Sequence, residues 1–452
     1  MTGLPLIIAF VLSVVLMIVA ISKFKVHPFL SIMAISLLLA LVAGIPLTSV
    51  PGVIGAGFSG TFSSIGIVII LGALIGSILE ITGAALKLAD MVVKLVGKKN
   101  PELAMGLMGW VVSIPVFCDS GFVILNPIRK ALVKRTSTSS VAMTVALSCG
   151  LYISHVFIPP TPGPIAAANT LGIGDNLLLV IGLGVGCSIF PLAAGLIFAK
   201  FIGKKVKSAD ETTNTDEVVK TYEELVASYG KLPGGFNAIA PIIVPVILMA
   251  MGTIGAQVGI TGVALDILSF LGTPIISLAV GTIFAVVQLA LAKKMDKFYN
   301  ITNDTLKTVG PILFVTAAGG VLGKVISSTT MVSYITENAS FLMNLGIFFP
   351  FLLAAILKTA QGSSTVAITT TAGIMVPMME SLGLNTPVLA ALTVMAIGAG
   401  AMTVSHANDS YFWVVTHFGD MKPEQGYKTQ TLLTLVMGVA SIIGIFILSL
   451  FF

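Results

Sequence analysis

"LAMGLMGWVVSIPVFCDSGFVILN", Leu103 to Asn126, is apolar enough to enter a membrane and too short to cross it twice. Lys87, Lys94, Lys98 and Lys99 precede the stretch, and Arg129, Lys130, Lys134 and Arg135 follow it. Basic clusters of this kind mark the cytoplasmic face, so both ends of the stretch share one face. At 1.5 Å per residue it spans about 36 Å, one crossing and not two. The expectation is a re-entrant hairpin whose tip, near Cys118–Asp119–Ser120–Gly121, reaches mid-membrane.

The rest of the chain agrees with a membrane setting. Of its 452 residues 56% are hydrophobic and only 10% are charged, with a mean hydropathy of +1.05. A soluble domain carries about 25% charged residues. Apolar runs without strand-like alternation indicate helical spans rather than a barrel. The first run, Leu4 to Ser22, lacks a basic leader and reads as an uncleaved span. The net charge of +5 is spread in short patches between spans, as topology signals are, which argues against a nucleic-acid partner. The three cysteines, Cys118, Cys149 and Cys187, and the four histidines show no zinc-type spacing, and no phosphate-binding loop is present. No metal and no organic cofactor is expected.

The one long polar stretch, Gly203 to Pro233, holds 11 of the 43 charged residues and divides the chain. We read residues 1–202 as an N-terminal membrane repeat, 203–234 as a cytoplasmic linker with a short surface helix near Asp216 to Ser228, and 235–452 as a C-terminal repeat. Spans are expected near 4–22, 27–45, 62–82, 139–158 and 176–202, then near 238–256, 273–292, 308–326, 387–404 and 430–452. With both termini outside the cytoplasm, 22 of the 24 Lys and Arg residues fall on the cytoplasmic face; Lys324 and Lys358 remain. A second awkward segment, Phe341 to Leu382, broken at "KTAQGSS", then enters from the opposite face. The fold class is an all-α polytopic membrane protein of two inverted-topology repeats, each with a re-entrant hairpin and a broken helix, a plan in which binding occurs at the midplane breaks.

Four polar breaks pair across the halves: "PVFCDSGFVILNP" from Pro115, "KTAQGSSTVA" from Lys358, "YISHVFIPPTPGP" from Tyr152 and "TVSHANDSYFW" from Thr403. Breaks at membrane depth must be buried or line a cavity. Gly121, Gly362 and the proline run Pro159–Pro164 are expected to supply them, with helix N-termini at Gly121–Phe122 and Ser364–Thr365 presenting free N–H groups to an anion. Asp119, Ser120, Gly121, Thr161, Gln361, Gly362, Ser363, Ser364, Thr365 and Asn408 suit a ligand with several hydroxyls. For the small residues, close helix packing is the plainer alternative. His155 and His406 are either proton carriers or packed histidines bonded to backbone carbonyls. Asp119 and Asp409, costly in a membrane, are candidate proton carriers. Lys358 either pairs with one of those aspartates or attracts the ligand's carboxylate. Lys324, near an outer span end, and Glu80, near an inner one, are expected to snorkel.

The motifs "CDSGFVILNPI", "SHVFIPPTPGP", "AQGSSTVA" and "SHANDSYFW" together resemble the bacterial gluconate permease family of the ion transporter superfamily, along the length of the chain. The resemblance implies proton symport of gluconate or a related sugar acid across the inner membrane, with fructuronate, idonate, glycerate and D-serine among relatives' substrates. It also implies a homodimer and an elevator motion. Cys118 stands where many relatives have Gly or another residue. Sodium coupling stays open, because carboxylate, hydroxyl and carbonyl oxygens at the tips suit that ion as well. A channel is the non-carrier alternative; inverted halves favour alternating access over a pore. A hydrolase built on Ser405, His406 and Asp409 is disfavoured, because adjacent Ser and His side chains on a helix diverge.

Overall fold

The computed structural model of the chain describes residues 3–88, 91, 100–136, 138–212, 232–257, 260–330, 334, 345–406 and 409–452. Every regular element among them is helical. Five stretches of 18 residues or more are apolar enough to cross a membrane: Ser140–Thr170, Gly174–Ile202, Pro274–Leu291, Met295–Ser327 and Pro423–Ser449. Shorter apolar helices account for the other expected spans.

Two groups of helices position the site. In the first, α1 (Leu4–Ser22) and α2 (Pro28–Val42) lead into α3 (Val50–Ile81). The second group opens with α4 (Pro101–Val112), α5 (Cys118–Thr136), α6 (Ser140–Phe157), α7 (Pro162–Thr170) and α8 (Leu177–Ile202). Next come α9 (Gly235–Gln257), α10 (Val263–Gly272), α11 (Pro274–Leu291) and α12 (Phe298–Ser327), which belong with the first group. The last five, α13 (Phe348–Gln361), α14 (Ser364–Met375), α15 (Pro387–Met402), α16 (Ser410–Phe418) and α17 (Leu432–Ser449), complete the second. The long helices α3 and α12 lie along each other, with α2 packed on α12 and α11 packed on α3. In the second group α4 lies along α6 and α13 along α15. Every residue of α6 is buried.

Local sequence explains where the central helices start and stop. Ser139 caps α6 by accepting a bond from the Ala142 N–H, and Thr386 does the same for α15 through Leu389 N–H, with Pro387 at the first position. The prolines at 159 and 160 end α6, and Pro162 opens α7. Gly362 ends α13 with φ 92°, a conformation that disfavours a side chain, and donates its N–H to the Lys358 carbonyl.

Several expectations need correction. The first break lies at Ser113–Phe117, not at Cys118–Gly121. Pro115 has no N–H to continue α4, the Ser113 hydroxyl donates to the Val116 carbonyl at 3.0 Å, and the helix restarts at Cys118. Gly121 is therefore inside α5, its N–H bonded to the Phe117 carbonyl, and the free helix N-terminus is at Cys118. Helix α5 also runs past Asn126 to Thr136. Arg129, read from sequence as a surface topology signal, is fully buried. It donates to Asn126 Oδ1 at 2.7 Å, to Ser140 Oγ at 2.5 Å and to the Phe418 carbonyl at 3.2 Å, joining α5, α6 and α16. Helices α3 and α12 begin 12 and 10 residues before the expected starts at 62 and 308. Helix α10 was not expected at all. The start of the linker is docked: Glu211 accepts from Ser139 Oγ and from the Ser140 and Val141 N–H groups at the base of α6. The surface helix expected at 216–228 and the start of the second hairpin at 341–344 lie outside the described residues.

Helix α3 holds both breaks of the first half through bare backbone. A Cβ at Gly76 would collide with the Pro115 carbonyl, and one at Gly72 would stand 2.8 Å from the Pro160 carbonyl. Gly55, on the same helix, faces open space. Gly76→Ala is therefore expected to lower the melting temperature in detergent. Gly55→Ala should leave it unchanged or raise stability by about 0.5–1 kcal/mol, the usual gain of Ala over Gly within a helix. Equal behaviour of the two variants would contradict this packing.

Candidate functional site

The breaks converge on a cavity of about 390 Å³. Phe117, Cys118 and Asp119 reach it from the start of α5, Gly362 to Val366 from the start of α14, and Asp409 to Tyr411 from the start of α16. Tyr152 and His155 line it from the last turn of α6. The opposite wall comes from the first group: His27 and Pro28 at the start of α2, and Pro311, Ile312 and Val315 of α12. The cavity thus sits between the two helix groups.

The knot around residue 405 is built to hold a charge pair away from water. Lys358 Nζ, on a fully buried side chain, lies 2.8 Å from Asp409 Oδ2. The same oxygen accepts from Ser405 Oγ at 2.5 Å, and Asp409 Oδ1 accepts the Tyr411 N–H at 3.0 Å, which caps α16. Asp409 is therefore saturated on both oxygens, the condition under which a buried ion pair is tolerated. Thr434 Oγ1 accepts the Ser405 N–H at 2.9 Å, and Thr431 Oγ1 donates to the Ser405 carbonyl at 2.6 Å. These bonds satisfy the backbone of the broken segment from α17 and the residue before it. Within the segment Val404 takes φ 57°, a left-handed conformation that a β-branched residue rarely adopts. His406 Nε2 lies 3.1 Å from the Thr359 carbonyl, in the last turn of α13, and does not line the cavity.

Asp119 and His155 differ from that saturated pair. Asp119 Oδ2 accepts from the Cys118 thiol at 3.7 Å, and its buried Oδ1 has no hydrogen-bond partner. His155 is 5% exposed, and its Nδ1 has none either. Its ring stands 6.0 Å from that of Phe117 and 6.4 Å from that of Tyr152. A buried polar atom without a partner costs about 1–3 kcal/mol, so atoms of this kind on a cavity wall are poised for a ligand or water. Across the cavity, Ser363 caps α14 by accepting the Val366 N–H at 3.3 Å, leaving the Ser364 and Thr365 N–H groups without partners inside the helix.

The remaining expected residues divide as follows. Gly362, Ser363, Ser364 and Thr365 line the cavity. Gly121 lies one turn into α5 and Thr161, whose hydroxyl donates to the Ile158 carbonyl at 2.6 Å, lies past the second break; neither lines the cavity. Lys358 meets the cavity only through Asp409. Asn408, and the side chains of Ser120 and Gln361, lie outside the described residues. Sequence reasoning passed over Tyr152 and Tyr411, whose rings stand 5.0 Å apart against the cavity, although both lie in the quoted motifs. It also passed over His27 and the α12 wall, which carry no local polar signal. Lys324 is exposed and Glu80 is half-buried, each near a helix end.

The family model that describes GntP family permeases matches residues 4–451. An uncharacterized permease of Haemophilus influenzae is 35% identical over 431 residues, covering 92% of this chain and 86% of the relative. The inner membrane permease YgbN of Escherichia coli is 32% identical, with 94% of each chain covered. The low-affinity gluconate transporter of Escherichia coli is 30% identical, with 98% of each covered. Among solved structures, the YdaH transporter of Alcanivorax borkumensis, described as having an unusual topology, superposes with a TM-score of 0.63 at 16% identity, covering 94% of this chain and 97% of that one. That likeness concerns the fold. The match across nearly the whole chain places this protein in the GntP family of permeases, transporters and not enzymes.

Proposed function

We propose that the protein imports gluconate or a related sugar acid across the inner membrane together with protons. The observation that carries this reading is the cavity between α12, the C-terminal end of α6 and three of the breaks, where one carboxylate is bonded on both oxygens and a second, Asp119, is left with an open oxygen. An anionic substrate and an ionised Asp119 in that cavity repel each other. At roughly 6 Å and an effective dielectric of about 20 the repulsion is about 3 kcal/mol, on the order of a hundredfold in affinity. A proton on Asp119 removes it, so anion and proton bind together. His155, with its open Nδ1, is the second candidate carrier. Asp409 and His406, both engaged, serve better as fixed parts of the wall. Ser363, Ser364 and Thr365 offer hydroxyl and amide hydrogens to the substrate's carboxylate and hydroxyls.

Around this site we read the helices as two inverted repeats. Helices α4 and α5, and α13 and α14, are re-entrant hairpins; α6 with α7, and α15 with α16, are broken spans. Both termini are placed outside the cytoplasm by the distribution of Lys and Arg. The second helix group then carries the cavity past the α3/α12 group in an elevator motion, within a homodimer.

Uptake of labelled gluconate into proteoliposomes is expected to be saturable, to show counterflow, and to rise when the outside is made acid. A response to a sodium gradient alone would move the coupling to Na⁺, and unsaturable flux without counterflow would indicate a channel. No uptake with any sugar acid overturns the reading.

Three substitutions separate the aspartates. Asp119→Asn should abolish the response to the proton gradient while preserving counterflow. Lys358→Met should lower stability by about 3–5 kcal/mol, because it strands a buried charge, and adding Asp409→Asn should recover part of that loss. Thermal melts of the two single variants and the double variant measure the coupling.

A further inference from the structure

Phe117 belongs to two cavities. One is the central site; the other, of about 400 Å³, lies between the C-terminal turns of α3 and the N-terminal turns of α12. The second cavity is lined mainly by polar residues, beside Ile81 and Ile301. Ser77 and Glu80 face it from α3, and Asn300, Asp304, Thr305 and Thr308 from α12. Lys297, at the start of α12, completes its wall. Thr305 Oγ1 stands 2.9 Å from Ser77 Oγ across it, and Lys307 holds Asp304 at 3.0 Å. Lys293, Lys294, Lys297 and Lys307 crowd the sequence at this end, which therefore faces the cytoplasm.

Phe117 is well placed to divide the two. Its backbone is fixed by the bond from the Gly121 N–H, at 2.8 Å, so the ring hangs at the start of α5 from an anchored point. It is half-buried and stands against the His155 ring. An apolar ring between two polar chambers resists the passage of a hydrated anion, because the anion would shed water with nothing to replace it.

We propose that the α3/α12 cavity is a second, cytoplasmic transit site for the hydroxylated carboxylate, and that the Phe117 ring is the partition between it and the central site. The proposal rests on the transport reading above. Thr305 and Thr308, whose hydroxyls donate to the Ile301 and Asp304 carbonyls, offer acceptor oxygens to the substrate's hydroxyls, and Ser77 and the Asn300 amide offer donors, so together they replace water around a polyhydroxylated substrate. Glu80 and Asp304 offset Lys297 and Lys307 at this end, so no net positive charge holds an anion there and the chamber passes substrate on and does not store it.

Cys118 is a native reporter of the partition. It lines the central cavity at 2% exposure, whereas Cys149 and Cys187 are fully buried and line neither chamber. Inverted and right-side-out membrane vesicles are treated with a membrane-impermeant methanethiosulfonate, and the labelled cysteine is identified by mass spectrometry. Phe117→Ala should speed Cys118 labelling by about tenfold or more, from the cytoplasmic side alone, since thiol reactivity follows access. Phe117→Leu, a milder change that keeps an apolar side chain, should give an intermediate rate. Thr308→Trp, added to Phe117→Ala to fill the second chamber, should return the rate to that of the natural protein. Equal labelling with Phe, Leu and Ala at 117, acceleration from the opposite face, or indifference to Thr308→Trp would each overturn the proposal. The readout is a thiol and not a flux, so it stands or falls separately from the uptake experiment.

Discussion

A helix broken inside a membrane leaves N–H and C=O groups that no lipid can satisfy. Most of this structure follows from where those groups go. At the break before α16, Thr431 and Thr434 bond both backbone polar groups of Ser405, and Asp409 takes the Tyr411 N–H. At the end of α13, Gly362 and His406 meet the carbonyls of Lys358 and Thr359. At the first two breaks the solution is different. The Pro115 and Pro160 carbonyls lie against the bare Cα atoms of Gly76 and Gly72, where a Cα–H can serve as a weak donor. Side chains serve both halves, with the Ser113 and Thr161 hydroxyls bonding the Val116 and Ile158 carbonyls in the first, where the close approach of a glycine-bearing helix is added. Both solutions require a second element at the break, which is why long α3 and the α17 end are packed where they are.

The charges obey a similar economy. Lys358 and Asp409 would each be costly alone in a buried site, and together with Ser405 and the Tyr411 N–H they form a neutral, hydrogen-bonded unit. Arg129 is treated in the same way: its guanidinium is spent on Asn126, Ser140 and the Phe418 carbonyl, with Asp420 3.7 Å away. Neither cation is free to hold a substrate tightly. What the cavity wall leaves open is a set of hydroxyls, the helix N-termini, Asp119 and His155.

Much of this could be read from the residues. The expected spans are all helical, because long apolar runs leave little alternative in hydrocarbon, and the four polar motifs meet because breaks at membrane depth must seek one another or protein cover. Composition could not fix the register of the first break. "FCDSG" contains the polar residues, but Pro115, with no N–H, sets the break upstream, and the helix resumes in time to include Gly121. Nor could sequence tell Arg129 from its neighbour Lys130, since both stand in one basic cluster and only packing buries the first. The pairing of Lys358 with Asp409 in place of Asp119 depends on the fold bringing α13 to the start of α16. The apolar α12 wall gave no signal, because a side chain that merely closes a cavity resembles any other core residue.

The division of labour between the two aspartates bears on how a carrier avoids slipping. With Lys358 and Asp409 cancelling, the cavity's net charge is set by Asp119, the substrate and their protons. Under the proposed coupling the empty, ionised cavity carries one negative charge. So does the cavity holding an anion and one proton. An anion alone would raise the charge to two, and a second negative charge moving through a membrane potential faces about 2.3 kcal/mol per 100 mV besides the repulsion from Asp119. The uncoupled step is therefore opposed twice by the same group. In the proposed mechanism Asp409 is a fixed part of the wall, held by a lysine, a serine and a backbone N–H. Under the proposed coupling a bonded pair fixes the geometry beside an unsaturated acid that senses the load, and the first makes the second's charge decisive.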